Sequence, residues 1–287
     1  EVYFYQFGVQ SEGFGVALGT KRFIAMNFHW NALGYRDFEQ TAEDFEGKHA
    51  LLVVGDSFAV GNGIANQGDR FSDQLAMHLG DAWRVGNIAK GGWGTVRELE
   101  ELQGYPITPD VVVLSYYLND IQDAVASQGT ELLGTFPKPS GVLKPIFENS
   151  YFANVVYWRF YRVRVQFLEE NFWEGLRKYY DRDDIWDIHA RELDDFARYC
   201  KAKDISLYAV LFPNLLFVED SMSVTKKVSD HLASLGVPAL DLAPVLAGRD
   251  AADIVVNSLD AHPNEEIHRE VGELLYKFLG EHGALDR

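Results

Sequence analysis

The sequence predicts an α/β fold: a three-layer α/β/α sandwich around a parallel, flavodoxin-like sheet of about five strands, with a helical insertion. Three observations predict it. The runs Ala50–Val54 and Val111–Leu114 are continuously apolar rather than alternating, the pattern of strands buried on both faces of a parallel sheet. Apolar residues between them recur at helical spacing, as at Phe71, Leu75 and Leu79. Strand and helix then alternate along the chain, which calls for right-handed crossovers with helices on both faces.

The elements follow in order. The first strand ends at Gly55, and the helix through Phe71 and Leu79 leads to a second strand over Trp83–Ile88. A helix over Val96–Leu102 precedes the third strand, which starts after Pro109 and Asp110. Ile205–Phe212, stopped by Pro213, is the fourth strand, and Val237–Leu242, led in by Gly236, the fifth. Glu265–Leu279 is the last helix. Residues 1–48 are rich in aromatics and glycine without a clear period (Phe14, Phe23, Phe28, Trp30, Tyr35) and are expected to form a leading segment laid over the main domain. Residues 127–195 break the rhythm. Pro137, Pro139, Gly141 and Pro145 mark a loop, and Asn149-Ser150 has the chemistry of a helix N-cap. From Tyr151 to Tyr180 aromatics interleave with Arg159, Arg162 and Arg164. A helical pair packed on the domain accounts for this, as does a lid or membrane-facing flap beside the site. The whole of 1–287 is expected to be a single domain.

Twenty-six Lys and Arg against 43 Asp and Glu leave a net charge of −17. Such a surface repels phosphate backbones and anionic headgroups, which argues against a nucleic-acid partner. Cys200 is the only cysteine, so no internal disulfide and no thiolate zinc cluster can form. No run of about 20 apolar residues is present. The chain starts at Glu1, which points to an upstream segment that was removed. A signal peptide or membrane anchor is one candidate, and an extracytoplasmic location is favoured.

Four short segments carry chemistry, each just past a strand end, where parallel-sheet enzymes place their sites. Gly55-Asp56-Ser57-Phe58 turns from strand one into a helix, where the partial positive charge of the N-terminus favours a developing oxyanion. Read alone, either Asp56 or Ser57 could simply cap that helix. Asn87 through Thr95, with Gly91, Gly92 and Gly94, follows strand two and offers N–H groups with no side chain in the way. Asn119-Asp120 ends strand three, and an amide there can donate a hydrogen bond without titrating. Asp260-Ala261-His262 precedes the final helix and supplies a base with a carboxylate two residues away to orient it. His189 sits among acidic residues and reads as part of a solvated helix face; Asp69, Asp73 and Asp181–Asp184 read as surface charge. His262 and His268 lack the i, i+4 spacing of a zinc helix, and no phosphate-binding or dinucleotide-binding glycine loop is present.

In that order and at those strand ends the four segments resemble the SGNH hydrolases, the GDSL-type lipases and esterases. The resemblance covers roughly residues 48–125 and 200–280. It implies Ser57 as nucleophile, His262 as base and Asp260 as its orienting carboxylate. It also implies an oxyanion hole made by the N–H groups of Ser57 and Gly92 and the side chain of Asn119, with no metal or cofactor. Asn31, Gly34, Tyr35, Arg36 and Asp37 look like the lead-in of bacterial members. Two positions depart from the pattern: Tyr117 stands where glycine is usual and Phe58 where leucine is common. The implied activity is cleavage of an ester on a small molecule or carbohydrate, an O-acetyl group among the candidates. Acyl transfer to a polysaccharide by the same triad, and glycan binding without turnover, are the alternatives. Membrane association would rest on the removed N-terminal segment.

Overall fold

The computed structural model describes residues 30–129, 141–142, 145–146, 150, 152–153, 170, 172–257 and 260–286, and the backbone of residues 4–5, 13–18, 23–28, 165–169 and 171. Three short strands, β1 (Phe4–Tyr5), β2 (Gly13–Leu18) and β3 (Phe23–Phe28), pair antiparallel in the order β1-β2-β3. In β2 the large side chains Phe14, Val16 and Leu18 alternate with Gly13, Gly15 and Ala17, a two-residue repeat of size rather than of polarity.

The main sheet is parallel and has the order β5-β4-β6-β7-β8. Its members are β4 (His49–Gly55), β5 (Trp83–Ala89), β6 (Val111–Tyr117), β7 (Ser206–Phe212) and β8 (Ala239–Asp241). Strand order reverses at β4, so its C-terminal end is the topological switch point, where a crevice opens. A last antiparallel pair is made by β9 (Val255–Asn257) and β10 (Asp260–Pro263).

The α-helices used below are α1 (Ser57–Val60), α2 (Phe71–Leu79), α3 (Thr95–Gly104), α4 (Gln122–Ser127), α5 (Val165–Tyr180), α6 (Asp183–Ala202), α7 (Val218–Ser234), α8 (Ala243–Leu246), α9 (Ala251–Ile254) and α10 (Glu265–Glu281). Because successive strand residues face opposite ways, β4 feeds two cores. Leu52 and Val54 pack with Leu102 of α3, Val125 of α4, Leu176 of α5, Phe196 of α6 and Val228 of α7. Leu51 and Val53 pack with Phe58, Phe71, Leu75 and the α10 residues Ile267, Val271 and Leu275. The result is the three-layer sandwich that the continuous apolar runs predict.

The helices α5 and α6 pack on the first of these faces, Trp173, Leu176 and Tyr180 joining Leu193 and Phe196 in its core. Ser150 accepts a hydrogen bond from the Ala153 N–H at 3.2 Å, in keeping with an N-cap. The proline-rich loop around Pro137 and Pro139, and Asn149, Tyr151, Arg159, Arg162 and Arg164, lie outside the described residues.

His268 of α10 is fully buried against Phe71, whose backbone N–H donates to its Nδ1 at 3.1 Å. Burial, with the Arg70 guanidinium nearby, pushes the imidazole down to about 3 from its usual 6.5. The unfolded chain therefore takes up a proton first as pH falls, and stability is lost below 6.5 on the way to that value. Thermal melts should show a falling Tm over this window and a shallower fall in His268→Gln.

Candidate active site

Strand β4 stops at Gly55, and Asp56 caps α1: its Oδ1 accepts the Phe58 N–H at 2.9 Å. The capping role thus falls to Asp56, and the Ser57 hydroxyl is left for other contacts. It lies 2.8 Å from His262 Nε2 and 3.3 Å from Asp56 Oδ2. Burial pushes the Asp56 carboxyl up to about 6, opposed by the Phe58 N–H, His262, the Ser57 hydroxyl and the Asn119 amide.

The base arrives on the β9–β10 hairpin, 205 residues along the chain from the serine. Asp260 Oδ1 accepts from the backbone N–H of His262 at 3.1 Å and lies 2.5 Å from its Nδ1. A proton on Nδ1 leaves the Nε2 lone pair facing Ser57. The Asp260 side chain is 2% exposed and that of His262 is 22% exposed, so the base is reachable from solvent and its orienting carboxylate is not. Gly63 sets the hairpin against the nucleophile loop: with φ +85°, a Cβ there would come within 2.2 Å of Val256 Cγ2. Asn264 then fixes the exit, capping Ile267 at 3.0 Å and donating to the Asp253 carbonyl at 2.7 Å.

Two further segments close on the serine. In the β5–α3 loop, a Cβ on Gly91 would lie 3.7 Å from Ser57 Cβ, and Gly92 takes a left-handed φ of +80°. Trp93 anchors this loop, meeting Tyr35 edge-on while the Arg97 guanidinium lies over its ring. Asn119 belongs to a single 3₁₀ turn, Leu118–Ile121, directly after β6, and its side chain is near enough to Asp56 to favour the charged form of that carboxyl. Ser57, Asp260, His262 and Asn119 therefore gather at one sheet edge, with the loop bearing Gly92 beside them.

The two departures from the family pattern meet each other. Tyr117 stacks on Phe58 with ring centroids 4.1 Å apart, and Phe58 also contacts His262 at 5.2 Å and Phe212 at 5.1 Å. The two aromatics stack on each other, and through Phe58 the stack rests against the histidine.

The lead-in has a definite job. The Arg36 guanidinium, 1% exposed, donates to the carbonyls of Val60, Gly61 and Ile64. Asp37 accepts from the Asn87 N–H at 2.9 Å and from Arg70 at 3.2 Å, and Arg70 reaches the Arg36 carbonyl. Asn87 continues the network to the Ala59 carbonyl and Ser72 Oγ. Its members come from three segments far apart in sequence.

Two expectations are corrected. His189 is fully buried rather than solvated. Its Nε2 lies 2.8 Å from Tyr116 Oη and its Nδ1 2.8 Å from Glu192, and Tyr116 meets Tyr180 at 2.5 Å. Charged neighbours in sequence misled, because α6 turns His189 inward with Ile185, Leu193 and Phe196 while its other faces carry the acids. Asp73 is not free surface charge either: it holds the Nε of buried Arg70 at 2.6 Å.

Among solved structures the chain is similar to TesA (14% identity, TM-score 0.49, covering 80% of this chain and 98% of that one). It is similar also to the psychrotrophic esterase EstA from Pseudoalteromonas sp. (12%, 0.47, 82% and 98%) and to a carbohydrate acetylesterase family member from Sinorhizobium meliloti (17%, 0.44, 81% and 99%). No protein-family model matches the sequence, and no curated protein matches it.

Arg36→Ala should lower stability in chemical denaturation by about 3 kcal/mol or more, since it strands buried carbonyls. Arg36→Lys should recover only part of this, because an ammonium cannot reproduce the guanidinium's planar fork.

Proposed function

We propose that this chain is a serine hydrolase of the SGNH type that cleaves an ester through an acyl-enzyme. The observation that carries the reading is one unbroken line of contacts: Ser57 Oγ to His262 Nε2 at 2.8 Å, and His262 Nδ1 to Asp260 Oδ1 at 2.5 Å. A serine hydroxyl is a poor nucleophile until a base removes its proton, and here a neutral imidazole stands at hydrogen-bond distance, its tautomer set by a buried carboxylate.

In the proposed reaction Ser57 Oγ attacks the acyl carbonyl while His262 Nε2 takes its proton. The C=O bond becomes a C–O⁻ single bond in the tetrahedral intermediate. Negative charge on that oxygen is met by the N–H of Ser57 at the start of α1, the N–H of Gly92 and the Asn119 amide. The intermediate collapses by breaking the C–O bond to the alcohol, which takes the proton from His262. Water, deprotonated in turn by His262, releases the acid and restores the hydroxyl on Ser57.

Ser57→Ala should abolish both turnover of p-nitrophenyl esters and labelling by a fluorophosphonate probe; full activity in that variant would sink the reading. Asn119→Ala should lower kcat by ~10²–10³ with the probe still reacting slowly, as expected for loss of one oxyanion donor.

A further inference from the structure

We propose that Glu98 and Asp120 form a proton-sharing carboxyl pair that joins the first turn of α3 to the Asn119 turn and so positions two oxyanion-binding segments beside Ser57. The inference rests on the functional reading above for its catalytic consequence, but not for the existence of the pair.

Both side chains are fully buried, and none of their four carboxyl oxygens has a hydrogen-bond partner among the described residues. Buried carboxylates normally collect N–H donors or a cation. Here the charged groups acting on the pair are acids: each on the other, then Asp56 at the α1 cap, Asp123 of α4 and, for Asp120, Glu192 of α6. Tyr116 of β6 and Tyr180 of α5 also feel Asp120, and their hydroxyls are committed to each other, to His189 and to the Leu118 carbonyl. His189 acts on Asp123. A proton held between the two carboxyls would give these oxygens the donor that no described side chain supplies.

The surrounding geometry shows what such a link would hold. Gly94, the N-cap of α3, has no side chain to cap with, and Asp123 supplies the acceptor from across the gap, taking the Val96 N–H at 3.1 Å. The two turns are pressed together: a Cβ on Gly94 would come within 2.6 Å of Asp123 Oδ2 and 3.2 Å of the Asp120 carbonyl. Gly92 lies two residues before this junction and Asn119 one residue before Asp120. Loss of the shared proton would set two buried like charges against each other where the two segments meet. Burial and the acidic neighbours hold both carboxyls well above their ordinary range. Folded-state affinity for the proton then exceeds the unfolded chain's, so the pair's contribution is complete at acid pH and is lost as pH rises.

The test compares wild type, Glu98→Gln and Glu98→Ala by thermal melts across neutral to alkaline pH and by kcat and KM on p-nitrophenyl acetate. Wild-type Tm should fall as pH rises, and Glu98→Gln, whose amide cannot ionise, should show a shallower fall. Glu98→Gln should keep kcat within about threefold, whereas Glu98→Ala should lose about tenfold or more in kcat with little change in KM, the signature of misplaced transition-state contacts. A Glu98→Gln melt profile parallel to wild type overturns the pair, as does a Gln variant no more active than the Ala variant. If Glu98→Ala does not fold, the Gln melt slope decides alone. That slope is also read on a wild type that hydrolyses no ester, so failure of the functional reading is distinguishable from failure of the pair.

Discussion

The turn that leaves the central strand is the constraint around which the rest of this molecule is arranged. At the end of β4 the chain must reverse from extended to helical within one residue, leaving backbone N–H groups exposed at the start of α1. Asp56 resolves this by capping the Phe58 N–H, and it does so from full burial. Because Asp56 takes the cap, Ser57 keeps its hydroxyl free to meet His262. Because Asp56 is buried, ionising its carboxyl is costly, and the Phe58 N–H and the Asn119 side chain offset part of that cost. One capping interaction thus fixes the nucleophile's direction and gathers the residues around it.

Everything that approaches this turn does so from a distant part of the sequence and is held by contacts that tolerate little change. The hairpin bearing Asp260 and His262 closes on Gly63, where any side chain would collide with Val256. The lead-in sends Arg36 under the nucleophile helix to donate to the Val60 carbonyl at its end and to the Gly61 and Ile64 carbonyls of the loop that follows. The stack of Tyr117 on Phe58 supports the histidine from the side. Such contacts add stiffness where the catalytic geometry needs it, since a displaced nucleophile or base forfeits most of the benefit of proximity.

The face of the sheet that receives α3, α4, α5 and α6 carries an unusual quantity of buried polar chemistry beneath this edge. Glu98 and Asp120 lie nearest the site, and the Tyr116–Tyr180–His189–Glu192 chain continues outward. Apolar side chains would fill the same volume at lower desolvation cost. The polar layer therefore marks a place where position and hydrogen bonding, rather than burial alone, are being specified.

Much of the fold was legible because its physics is local. Short, β-branched-rich runs of Val and Leu bounded by Gly and Pro read as strands covered on both faces, and the 3.6-residue period of α2, α3 and α10 is written in their own apolar positions. The residue types of the site were legible too: a serine at a strand-to-helix turn, an amide at a strand end, a histidine two residues from an aspartate. The tertiary structure alone decided which of Asp56 and Ser57 would cap and which would face the base. It also decided that His189 turns inward, that Tyr117 stacks on Phe58, and that Glu98 and Asp120 are both buried without a hydrogen-bond partner among the described residues. These outcomes depend on contacts between residues tens to hundreds of positions apart. A one-dimensional pattern records which side of an element is apolar, not which distant element will cover it.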